Sequence, residues 1–119
     1  PRKKFVGART DEYRFAQYIE DWRQKVERVG TLNYPEQARG KLYGSLILSV
    51  SIKSDGSVDK VEINRSSGVP VLDDAARRIV TMASPYAAFP ADIRRDTDIL
   101  VITRSWKFTR SDRVETVAQ

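Results

Sequence analysis

Phe15, Ile19, Trp22, Val26 and Val29 recur at steps of four, three, four and three, which lines one stripe of a helix beginning near Thr10. Asp11 and Glu12 stand where the helix dipole favours acids, Lys25 and Arg28 where it favours bases, and Gly30 is placed to end the helix. Tyr34-Pro35 then predicts an extended residue followed by a short helical turn. From Leu46 the period drops to two. Leu48, Val50 and Ile52 alternate with Ile47, Ser49, Ser51 and Lys53, so a strand with one apolar face is expected. Ser54-Asp55-Gly56-Ser57 supplies the Asp-Gly pair of a tight hairpin, and a second strand returns from Val58 to about Arg65. Past the Ser66-Ser67-Gly68-Val69 loop, Pro70 opens a second helix with Leu72, Ala75, Ala76, Ile79, Met82 and Ala83 on its buried side. On its outer side Asp73 faces Arg77 and Asp74 faces Arg78 at helical spacing. Pro85 stops this helix, and a loop returns over the core through Tyr86 and Phe89. A last strand runs from Ile99 to Thr109, with Leu100, Ile102, Arg104, Trp106 and Phe108 on one face and Val101, Thr103, Ser105 and Lys107 on the other.

The fold class expected is α+β in the order α-β-β-α-β, a three-stranded antiparallel sheet with two helices packed on one face. Residues 1–9 are expected to be a flexible basic linker end, 10–109 the domain, and 110–119 a polar, frayed tail. The chain opens on Pro1 rather than Met and is read as a fragment whose targeting segment, if any, was removed.

Composition narrows the chemistry. The chain contains neither cysteine nor histidine, which excludes thiol nucleophiles, disulfides, the usual structural zinc sites and imidazole catalysis. No metal, cofactor or catalytic residue is expected. Asp55, Asp59, Asp73, Asp74, Asp92, Asp96 and Asp98 could pair as acid and base, but turn formation, helix ion pairs and exposure account for them. Ser66-Ser67-Gly68 has neither the surroundings of a nucleophile elbow nor those of a phosphate loop.

The net charge of +5 permits an anionic partner. Its excess gathers at Arg2-Lys3-Lys4 and across Arg104, Lys107 and Arg110, the latter beside Trp106 and Phe108, which makes nucleic acid a possible but not favoured partner. A third possibility is peptide capture, because a small sheet always has edges that can accept an extended strand.

Tyr34-Pro35-x-x-Ala38, Gly44 before an alternating strand, Asp55-Gly56-x-Val58, Ser66-Ser67-Gly68 and Leu72-Asp73-x-Ala75-Ala76, with a last strand ending in Trp106 and Phe108, together resemble the C-terminal domain of the TonB family over roughly residues 31–109. The resemblance implies a periplasmic domain of an energy transducer, anchored in the inner membrane by an N-terminal helix and a proline-rich spacer outside this fragment. It implies coupling of an ExbB/ExbD-type motor to TonB-dependent outer-membrane transporters, such as those for siderophore uptake, by binding the receptor's TonB box along the last strand. Thr31, Leu32, Asn33 and Tyr34 would flank that groove, and Val101, Thr103, Arg104, Ser105 and Lys107 would form it, with Arg104 or Lys107 attracting an acid. A TolA-like or other envelope interaction module is the alternative.

Two departures stand out. Thr31 and Leu32 replace the Gln-Pro that often precedes Tyr-Pro, and Ser84 to Pro90 with a charged insertion replaces the family's Trp-x-aromatic-x-Pro segment. The tail triplet Glu115-Thr116-Val117 is also reminiscent of a receptor box and could occupy the chain's own edge or that of a second copy, giving a homodimer.

Overall fold

A computed structural model describes residues 1–7 and 13–118. The elements are β1 (Lys3–Val6), α1 (Tyr13–Leu32), β2 (Gly44–Lys53), β3 (Val58–Arg65), α2 (Pro70–Ala83), α3 (Ala91–Arg94), β4 (Ile99–Phe108) and β5 (Val114–Ala118). Asp11 and Glu12 lie outside the described residues.

The central pair is β2 with β4, antiparallel from Gly44 opposite Phe108 to Lys53 opposite Ile99. β3 pairs with the other side of β2 through the predicted hairpin. Gly56 adopts φ +89° in that turn, and a Cβ there would collide with the Tyr86 carbonyl. The Asp55 carboxylate accepts from both the backbone N–H and the hydroxyl of Ser57, closing the turn. One face of the sheet presents Leu46, Leu48, Val50, Ile52, Leu100, Ile102, Trp106 and Phe108, all buried in one cluster with Phe15, Trp22 and Val26 of α1 and Leu72, Ile79 and Val80 of α2. The mixed helix-on-sheet architecture is therefore the one that the periodicity predicts.

Several expectations need correction. The sheet has five strands rather than three, and β1 runs parallel to β4, so the sheet is not wholly antiparallel. The stretch expected to be a flexible linker end contains β1, and the stretch expected to fray contains β5. Both strands are short and neither alternates apolar with polar residues, so the period-two pattern does not reveal them. Ion pairs and contacts distant in sequence hold them instead. Gly30 does not end α1, which continues to Leu32. Gly30 is instead buried where the helix crosses β5, and a Cβ there would lie 3.0 Å from that of Val114. Asp73 does not pair with Arg77. It is buried and accepts hydrogen bonds from the Ser67 N–H and from the hydroxyls of Ser66 and Ser67, pinning the loop to the start of α2, while Arg77 pairs with Asp74 at 3.0 Å. Tyr86 and Phe89 are buried as expected, and the charged stretch after them forms the single turn of α3.

Candidate functional site

The strand expected to offer a free edge is occupied. β1 pairs with β4 from Lys3 opposite Ile99 to Val6 opposite Ile102. β5 pairs with the same side of β4 from Ala118 opposite Arg104 to Val114 opposite Phe108. The Ile99 N–H donates to the Arg2 carbonyl and the Thr109 N–H to the Arg113 carbonyl, which fixes the phase of the ladder. Backbone groups alternate along a strand, so the odd-numbered amides of β4 face this edge. Val101 donates toward β1, and Ser105 and Lys107 toward β5.

The two covering strands are held by different physics. β5 is sealed by α1. The Thr31 hydroxyl accepts from the Val114 N–H at 3.1 Å, and the Glu27 carboxylate accepts from the Thr116 N–H at 2.9 Å and from its hydroxyl at 3.3 Å. Arg104 donates to the Thr116 carbonyl at 2.9 Å. Val114 and Thr116 are buried, and the turn before β5 is tied to the 35–40 segment by the Gly40 N–H on the Asp112 carboxylate at 2.9 Å.

β1 is held at its start by charge. Arg2 donates through Nε and Nη2 to the two carboxylate oxygens of Asp98 at 3.1 Å each, through Nη1 to the Arg95 carbonyl at 2.8 Å, and through its backbone N–H to Asp98 Oδ2 at 2.6 Å. The Asp98 N–H returns a bond to the Arg2 carbonyl. Lys4 lies 3.9 Å from Asp96, whose carboxylate also receives both terminal nitrogens of Arg14. The guanidinium of Arg2 holds the Asp98 carboxyl down to about 2, and that of Arg14 does the same for Asp96. Both carboxylates remain substantially exposed. Such pairs are weak individually and are screened by salt.

The predicted site residues separate accordingly. Thr31 seats β5 rather than facing a groove, Leu32 is exposed, and Asn33 caps α1 by donating through its backbone and side-chain N–H groups to the Val29 carbonyl. Tyr34 is buried edge-on to Phe108. Val101, Thr103, Ser105 and Lys107 do share the outer face of β4, where the Thr103 hydroxyl meets that of Ser49 at 2.7 Å and Lys107 stands opposite Glu115. Arg104 lies on the helix-covered face, half-buried between β5 and α1, and desolvation lowers its pKa, so it is not placed to attract a ligand's acid.

The basic patch loses its aromatic neighbours, while Lys3, Lys107 and Arg110 stay exposed. Trp106 and Phe108 are buried and present no stacking surface, while Arg2 and Lys4 are paired. Sequence reasoning missed the acidic corner of Asp96 and Asp98. The Asp-x-Asp spacing just before a strand was a usable signal, because alternate residues there can meet an incoming basic strand. Among the described residues no helix is long and apolar enough to cross a membrane, and no cluster of potential metal ligands occurs.

A family model for the Gram-negative bacterial TonB protein C-terminal domain matches residues 31–109, from the end of α1 to just past β4. No significant match was found among curated proteins or solved structures. The matched segment contains β4 but neither of the strands that cover it.

Proposed function

This chain belongs to the Gram-negative bacterial TonB protein C-terminal family, and on that premise we propose that it binds an extended segment of an outer-membrane receptor by strand addition along β4. The observation that carries this reading is that the edge of β4 already holds two short strands, one parallel and one antiparallel, from outside the matched segment. An edge that accepts strands in both directions through backbone bonds has the chemistry that strand addition needs. Each such bond contributes about 0.5–1.5 kcal/mol net, so a partner strand of similar length can compete with the chain's own. Binding is then an exchange: a partner enters as one of the chain's own strands leaves.

The domain works without catalysis of its own, in the periplasm, as the receptor-facing end of a TonB-type transducer. Energy reaches it through segments outside this chain that engage an ExbB/ExbD-type motor and an inner-membrane anchor.

The absence of native cysteines makes a clean test possible. Lys3→Cys with Ile99→Cys would staple β1 to β4 between register partners. Gly30→Cys with Val114→Cys would staple β5 to α1: the two Cβ positions lie 3.0 Å apart, short of the 3.5–4.5 Å that a disulfide spans, and β5 must shift outward by a few tenths of an ångström to accept it. With a labelled peptide of the receptor-box pattern, the protein carrying both staples should lose binding when oxidised and regain it on reduction. Equal affinity in the two redox states would exclude the β4 edge as the site.

A further inference from the structure

Resting on that reading, we infer that β1 is the strand that yields, and that the acceptor is the Ile99–Ile102 half of β4 beside an acidic corner selective for a cation in the incoming peptide. The two covering strands are unequally held. β5 has Val114 and Thr116 buried and its outer amides capped by Thr31 and Glu27 of α1. β1 has four residues, of which Val6 alone is buried, while Phe5 remains 74% exposed. Its remaining hold is the four-residue ladder to β4 and, at exposed positions, the Arg2 guanidinium on Asp98 and the Arg95 carbonyl, and Lys4 on Asp96. A segment with little buried surface and solvent-exposed ion pairs opens at low cost, ahead of one packed against a helix.

Departure of β1 frees more than a ladder. Asp98 loses its guanidinium, Asp96 loses Lys4 but keeps Arg14, and the Val101 N–H is left without β1. The vacated position has a direction and a charge preference. A replacing strand runs parallel to β4, places a basic residue opposite Asp98 at its N-terminal end, and continues with apolar residues in the positions of Phe5 and Val6. The Arg104–Phe108 half has the opposite character, with Lys107 facing Glu115. A cationic lead residue therefore discriminates between the two halves.

The test uses the single staples in the full chain and two peptides that differ only in their lead residue, Lys or Glu. The β1 staple is expected to weaken binding at least tenfold when oxidised, the β5 staple to leave it within about twofold, and reduction to restore the first. The Lys-led peptide should bind several-fold more tightly than the Glu-led one, and Asp98→Asn should shrink that preference. Without peptide, the Val101 amide should exchange faster than those of Ser105 and Lys107, and added salt should widen the gap. Loss of binding on stapling β5 rather than β1, or a preference for the Glu-led peptide, overturns the inference while leaving strand addition standing. Binding that neither staple affects overturns both. Failure of both peptides to bind in every form defeats the strand-addition reading, and the exchange order alone then decides whether β1 is the looser strand.

Discussion

Single residues decide which surface of this domain is available. Arg104 shows the effect of alternation: its place in the period-two pattern puts it on the same face as Trp106, so it lies beneath α1 and bonds Thr116 rather than meeting a ligand. Asp98 shows the effect of charge. Its carboxyl is held at about 2, below its ordinary 3.8, chiefly by hydrogen bonds from Arg2, and Asp96 is lowered likewise by Arg14, with Thr97 and Lys4 assisting. A carboxylate with a depressed folded-state pKa contributes stability that is present above its ordinary pKa and disappears as pH falls through the folded value. Docking of β1 should therefore be constant above about pH 4 and lost progressively towards pH 2. Carboxyl carbon shifts of Asp96 and Asp98, followed with the Val6 amide between pH 5 and 2, would check this. Titration near 4 without movement of Val6 would count against the ion-pair hold.

Among the elements, the ones with strong periodicity were legible in the sequence and those held from a distance were not. The apolar stripe of Phe15 to Val26, the alternation of Leu46 to Ile52 and the Asp55-Gly56 turn each carry their own signal, so α1, β2 and the hairpin follow from local pattern. Lys3-Lys4-Phe5-Val6 carries no such signal, because its partners lie near residue 98. The candidate edge was legible as a strand, and the residues on its outer face were assigned to the correct side. Its occupancy was not legible, apart from the resemblance of Glu115-Thr116-Val117 to a receptor box. Gly30 illustrates the ambiguity: a glycine near a helix end usually marks its stop, but here it makes room for Val114. Gly30→Leu should preserve α1 and force β5 off its seat, at a cost of about 1–3 kcal/mol for overpacking. Hydrogen exchange would show the Ser105 and Lys107 amides losing protection, with Val101 unchanged. Uniform loss of protection across the sheet would contradict independent docking of the two strands.

At the scale of the whole molecule, the domain is a two-layer fold in which the outer edge of β4 is closed by the chain's own β1 and β5. The edge strand β3, left open on the other side, carries Asp59, Lys60, Glu62 and Arg65, charges of both signs of the kind that discourage unwanted pairing. The net charge of +5 bears on solubility and encounter rather than on the fold. The most direct test of strand addition is an amide chemical-shift titration of the intact chain with an unlabelled receptor-box peptide and a scrambled control. Strand addition predicts saturable shifts along 99–108 with the cognate peptide alone, together with movement of one covering strand towards unpaired values. Shifts confined to β3 or to the helices, with β1 and β5 both still docked, would contradict it.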